Sequence, residues 1–215
     1  MENIIERIEK EKIITIVRGI PREKLLPLAQ AMYDGGIRLI ECTYDASQKV
    51  SNTEIASNIE LLVNHFGNKM IVGAGTVLTE NQVELTEKAG GKFIISPDTN
   101  PNIIKRTKEL GLVSIPGALT PTEITTAVRA GADFVKIFPV GSMGYNYIKD
   151  VSAPLSNVKL LAVGGVDENN MKDFLDAGAC GIGIGSGIVK KKMIEESDFE
   201  GITALAKLYT SKLNG

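Results

Sequence analysis

Short β-branched runs alternate along the chain with segments whose apolar residues recur every three or four positions. The first pattern predicts strands and the second helices packed on one face. The runs at 13–17, 37–42, 70–74, 93–95, 112–115, 133–138, 159–163 and 180–184 read as eight strands. Between them, Pro21 opens a helix carrying Leu25, Leu28, Ala29 and Met32 on one side and stopping at Gly35-Gly36. Further helices are expected at 54–66, 80–89, 101–110 and 145–151, after Thr120-Pro121-Thr122-Glu123, after a cap at Asp167, and at 199–213. A lead-in helix is expected over 2–12, with Ile4, Ile5 and Ile8 on one face. Helices close at Gly35-Gly36, Gly90-Gly91, Gly131 and Gly178 just before strands, a weak repeat of a βα unit. Eight such units predict an α/β protein: a closed (β/α)8 TIM barrel with a short N-terminal helix, one domain over 1–215. A doubly wound sheet is the alternative. It would favour a Gly-rich dinucleotide turn after the first strand. That position reads Arg18-Gly19-Ile20-Pro21, and Gly181-Ile182-Gly183-Ile184-Gly185 lacks the required spacing as well.

Composition narrows the function classes. Of the 215 residues, 43% are hydrophobic and 23% charged, an ordinary globular balance. The net charge of −2 gives no electrostatic case for nucleic acid or an acidic membrane surface. No apolar run approaches the roughly 18–20 residues of a membrane span. The first residues mix charges with apolar side chains and do not read as a signal peptide. Cys42 and Cys180 lie far apart without metal-ligand spacing, which suits free thiols in a cytoplasmic protein. His65 follows Val63-Asn64 at a polar helix end and reads as a surface residue, which argues against His-based triads and metal sites.

The chemistry concentrates at strand ends, where barrels build their sites. Lys136 stands inside the apolar run Asp133-Phe134-Val135-Lys136-Ile137-Phe138 and shares a face with Phe134 and Phe138. A buried amine loses charge, and a neutral amine attacks carbonyls. Alternatively, the side chain snorkels to solvent. Glu41 follows Ile37-Arg38-Leu39-Ile40 and shares the inward face with Ile37 and Leu39 if the strand is regular. Buried, it is a general acid/base; otherwise it forms a structural ion pair with Lys136 or Arg18. Arg18 suits a substrate carboxylate, and Thr76 a supporting hydroxyl, unless it is a plain strand end. Pro97, Phe138 and Val163 fall at strand ends too. Gly164-Gly165 and Gly185-Ser186-Gly187 end the seventh and eighth strands, where backbone amides at helix N-termini form the usual phosphate site of barrels. Simple turn chemistry is the competing account for each glycine.

These residues resemble a known family, the KDPG (2-keto-3-deoxy-6-phosphogluconate) and KHG (4-hydroxy-2-oxoglutarate) aldolases. The matching stretches are Ile16-Val17-Arg18-Gly19, Gly36 to Glu41, Gly73-Ala74-Gly75-Thr76-Val77, Ile95-Ser96-Pro97, Ile115-Pro116-Gly117, Val135-Lys136-Ile137-Phe138-Pro139, Gly164-Gly165-Val166 and Gly185-Ser186. The resemblance implies a class I enzyme with no cofactor and no metal, usually a homotrimer. It would cleave KDPG to pyruvate and glyceraldehyde 3-phosphate. It implies Lys136 as the Schiff-base lysine, Glu41 as the proton-transfer residue, and Arg18 with Thr76 at the pyruvyl carboxylate. Gly164, Gly165, Gly185 and Ser186 would hold the phosphate. Two positions depart from the pattern. Asp45 stands where some members carry an arginine, and Ala162-Val163-Gly164-Gly165 replaces a Pro-Thr-Gly-Gly run. The second departure is similar to the 6-phosphogalactonate (KDPGal) branch. A KDPGal or KHG aldolase, an epimerase-like barrel and a non-catalytic sugar-phosphate binder remain open.

Overall fold

The structure, a computed structural model, describes residues 3–213. The sheet follows from the β-branched runs: β1 (Ile13–Val17), β2 (Leu39–Thr43), β3 (Ile71–Gly75), β4 (Phe93–Ile95), β5 (Val113–Ile115), β6 (Gly117–Ala118), β7 (Val135–Ile137), β8 (Leu160–Val163) and β9 (Gly181–Ile184). Every pairing is parallel, in the order β5-β4-β3-β2-β1-β9-β8-β7-β6. The two ends of that order are consecutive in the chain. β5 and β6 are halves of the expected fifth strand, parted at Pro116, whose nitrogen has no proton for a ladder. β5 pairs with β4 while β6 pairs with β7, so the ring closes through Pro116. This is the (β/α)8 barrel.

Two apolar clusters hold it. The larger lies between the sheet and the surrounding helices. The smaller fills the lumen with Ile14, Leu39, Ile71, Phe93, Ile95, Val113, Ile115, Phe134, Leu161 and Val163. Ile8 of α1 (Ile4–Glu11) joins the lumen cluster, with Ile4 and Ile5 packed beside it. The lead-in helix therefore plugs the N-terminal end of the barrel; Glu2 of the expected segment lies outside the described residues. The other helices are α2 (Arg22–Asp34), α3 (Asn52–Phe66), α4 (Glu80–Lys88), α5 (Pro101–Glu109), α6 (Pro121–Arg129), α7 (Tyr145–Ser152), α8 (Met171–Asp176), α9 (Lys191–Glu195) and α10 (Phe199–Ser211). Thr120 starts α6 through a reciprocal capping box with Glu123, as its spacing predicts.

Several expectations change. Asp167 does not cap α8; its carboxylate accepts the amides of Asn169 and Asn170 in a turn, and the helix begins after Asn170. Ile37 precedes β2 and packs in the outer cluster, so Glu41 shares the lumen face with Leu39 but not with Ile37. The short α9 has no counterpart in the sequence reading. Cys42 and Cys180 are free thiols, and His65 is exposed beside Gln30 and Phe66. Among the described residues no helix is long and apolar enough to cross a membrane.

Candidate active site

The C-terminal mouth of the barrel opens into a cavity of about 620 Å³. Strand alternation aims Lys136 and Glu41 into it, each one step above an apolar lumen residue: Phe134 below the lysine, Leu39 below the glutamate. Lys136 is 7% exposed and Glu41 2%. Among the described residues, neither the Lys136 amine nor the Glu41 carboxylate has a hydrogen-bond or ion-pair partner within 4.0 Å. The amine instead lies 4.7 Å from the centroid of the Phe138 ring.

Burial decides the protonation of both groups. It pulls the Lys136 amine below the usual lysine range; the Glu41 charge opposes that shift and the Arg18 charge adds to it. It pushes the Glu41 carboxyl up to about 7, against the pull of Lys136 and Arg18. Burial thus favours the neutral form of both groups, a neutral amine beside a carboxyl that titrates near neutrality.

The neighbouring backbone is shaped around Glu41. At Gly75, the last residue of β3, an added Cβ would overlap Glu41 Oε1. Thr76 follows with φ +55°, a left-handed conformation that costs a β-branched residue on the order of 1–3 kcal/mol. That conformation turns its hydroxyl toward Arg18, whose Nη2 donates to Thr76 Oγ1 at 3.0 Å. Arg18 itself is exposed and lines the cavity. Such a fork suits a carboxylate.

At the other end of the cavity, Gly164 and Gly165 have φ +86° and +81°. A Cβ on Gly165 would lie 2.8 Å from Gly141 Cα, and one on Gly164 would lie 3.0 Å from the Phe138 ring. These glycines let the loop after β7 pack against the loop after β8, joined by the Gly141 amide donating to Gly164 O at 2.7 Å. The amides of Gly165, Ser186 and Gly187 donate to no protein acceptor among the described residues. They stand in turns rather than at helix N-termini, which corrects the sequence expectation: α8 begins at Met171 and α9 at Lys191.

Arg18, Glu41, Thr76, Pro97, Lys136, Phe138, Val163, Gly164, Gly165, Gly185 and Ser186 all line this one cavity. Sequence reasoning missed Ile16, Val166, Asp167, Glu168, Gly183 and Lys190 as lining residues. Strand alternation from Ile14 points to Ile16. Nothing distinguishes Glu168 or Lys190 from other polar loop residues. Asp45 is not among the lining residues; its carboxylate accepts the Ser47 hydroxyl and the amides of Ser47, Lys49 and Val50. It folds the loop before α3, and those bonds hold its pKa down. No group of three or more potential metal ligands occurs among the described residues.

A (β/α)8 barrel with a buried lysine and a buried carboxylate at its C-terminal mouth defines a barrel of the small-molecule enzyme class. The chain belongs to the KDPG and KHG aldolase family, whose model matches residues 4–205. It is 34% identical to 2-dehydro-3-deoxy-6-phosphogalactonate aldolase of Escherichia coli K12, over 93% of this chain and 95% of the relative. It is 30% identical to 2-dehydro-3-deoxy-phosphogluconate aldolase of Haemophilus influenzae, over 96% of this chain and 94% of the relative. Among solved structures it superposes with TM-score 0.85 on the KDPG aldolase from Legionella pneumophila with pyruvate captured as a covalent carbinolamine intermediate. That protein is 27% identical, with 96% of this chain and 97% of the other covered.

Proposed function

We propose that this aldolase is a class I, Schiff-base enzyme that cleaves a 2-keto-3-deoxy-6-phospho sugar acid, KDPG, to pyruvate and glyceraldehyde 3-phosphate. The observation that carries the reading is the pairing, in one cavity, of a buried Lys136 with a lowered pKa and a buried Glu41 with a carboxyl pKa near 7. The covalent carbinolamine named for the Legionella relative supports it.

The neutral Lys136 amine attacks the C2 ketone. The carbinolamine loses water to give a protonated Schiff base, which is an electron sink. Glu41, directly or through one water, takes the C4 hydroxyl proton. The C3–C4 electron pair moves into the iminium, and glyceraldehyde 3-phosphate departs as the aldehyde. The resulting enamine is protonated at C3, and water releases pyruvate and the free amine. Arg18 with Thr76 holds the pyruvyl carboxylate. The turns at Gly164-Gly165 and Gly185-Ser186 hold the phosphate, whose binding energy orients the ketone. The chemistry calls for no cofactor or metal.

KDPGal is the second reading, favoured by Val163. Its apolar side chain packs toward Gly183 and offers the sugar no hydroxyl partner. KHG is the unphosphorylated alternative. Steady-state cleavage of KDPG, KDPGal and KHG, followed by pyruvate release, tests the assignment. Cleavage of KDPG with the highest kcat/KM supports it, while a higher value for KDPGal or KHG overturns that choice. No pyruvate from any of them overturns the aldol reaction. A homotrimer is the assembly expected from the family resemblance, and light scattering checks it.

A further inference from the structure

Tyr209 lies outside the cavity, on α10, yet touches both turns that close the cavity's glycine-rich end. It is fully buried. Its hydroxyl donates to Glu168 Oε2 at 2.7 Å. Glu168, in the turn after β8, lines the cavity. On the other side, a Cβ added to Gly187 would overlap the Tyr209 hydroxyl, so that turn rests directly on the same oxygen. Lys212 Nζ donates to Glu168 O at 2.5 Å and fixes the Glu168 backbone from the end of the same helix. The helix itself is anchored: Thr203 Oγ1 donates to Ala31 O at 3.0 Å and Thr210 Oγ1 to Gly35 O at 2.8 Å, both at the end of α2.

From this geometry we infer that Tyr209 is a positioning residue for the phosphate end of the site, setting the spacing of the turns after β8 and β9 through Glu168 and Gly187. This inference rests on the phosphate assignment made above. Two separate loops must present their backbone amides at a fixed distance to hold one phosphate group. A single hydroxyl packed under one turn and bonded to the other fixes that distance. Tyr209 also orients the Glu168 carboxylate, an anion that would oppose a phosphate if it turned toward it. Among the described residues no hydrogen bond or ion pair joins α10 to Lys136, Glu41, Arg18 or Thr76 at the pyruvyl end. The effect is therefore confined to binding of the phosphorylated part of the substrate.

The test compares Tyr209→Phe with the wild type on the phosphorylated sugar acid, on its unphosphorylated counterpart, and in pyruvate C3 proton exchange with solvent. The phenylalanine ring keeps the packing and removes only the hydroxyl. The expected result is a rise of about three- to tenfold in KM for the phosphorylated substrate, as loosening one charge-assisted hydrogen bond produces. Its kcat, the unphosphorylated reaction and the exchange rate stay unchanged. Glu168→Ala, which acts from the solvent side of the same bond and keeps the inference testable should Tyr209→Phe fold poorly, gives the same KM rise. Glu168→Gln, which still accepts from Tyr209, gives a smaller KM rise than Glu168→Ala. Equal changes on both substrates, or no change in either variant, overturn the inference while leaving the phosphate site intact. A wild type that does not discriminate the phosphorylated from the unphosphorylated acid overturns the phosphate assignment, and the inference with it.

Discussion

The lumen of this barrel is one row of inward-facing positions, and its two ends do opposite things. At the N-terminal end, Phe134, Leu39 and Leu161 close over Ile8 of α1 as an apolar plug. Two residues further along the same strands stand Lys136, Glu41 and Val163, lining an open cavity. The plug adds hydrophobic free energy to that of the larger cluster between sheet and helices. The mouth is costly by comparison: it holds two desolvated ionisable groups and a strained Thr76. Rigid packing one layer below is what keeps Lys136 and Glu41 in a low-dielectric site without partners that would fix their charge.

This contrast predicts that substitutions one layer apart separate activity from stability. Lys136→Ala gives the largest activity effect, a loss of at least about three orders of magnitude in cleavage, because the proposed nucleophile is gone. Relief of a buried amine leaves the thermal transition unchanged or raised. Calorimetry and a pyruvate-release assay read both. Glu41→Gln is next, lowering kcat by about 10²–10⁴-fold while pyruvate still forms a Schiff base. Unchanged pyruvate proton exchange in that variant counts against the role of Glu41. Below the site the pattern reverses. Phe134→Ala costs about 3–5 kcal/mol of stability by opening a cavity in the plug, while the folded fraction keeps most of its kcat at low temperature. Ile8→Ala does the same at about 2–5 kcal/mol in denaturant titrations.

The smallest expected effect is in pH dependence. Glu41 takes a proton only when ionised, and its carboxyl pKa lies near 7. As pH falls below that value the ionised fraction drops, so kcat/KM declines toward tenfold per pH unit. The lowered pKa of Lys136 acts in the same direction, because the amine is neutral only above it. Both groups thus make activity rise with pH, Glu41 through neutrality. In Glu41→Gln the limb near 7 disappears.

Much of this was legible in the sequence for a physical reason. A charged residue inside an apolar strand run has few explanations, so Lys136 and Glu41 stood out, and glycine breaks bounded the eight strands. What stayed hidden depends on contacts distant in sequence. Glu168 and Lys190 are polar residues in polar loops, and only the fold brings them to the cavity. The bond from Tyr209 to Glu168 joins positions 41 residues apart. The outward turn of Ile37 follows from β2 starting two residues later than the β-branched pattern suggests, and the break at Pro116 divides a strand that reads as continuous. Asp45, a departure from the family pattern, proves to be a loop-folding residue, which leaves Arg18 as the guanidinium among the cavity-lining residues.

The most direct test of covalent catalysis at Lys136 is borohydride reduction in the presence of pyruvate, followed by peptide mass spectrometry. The account predicts a reduced pyruvyl adduct on Lys136 alone, absent from Lys136→Ala. Pyruvate bound to the folded protein with no adduct, or an adduct on another lysine, would contradict it.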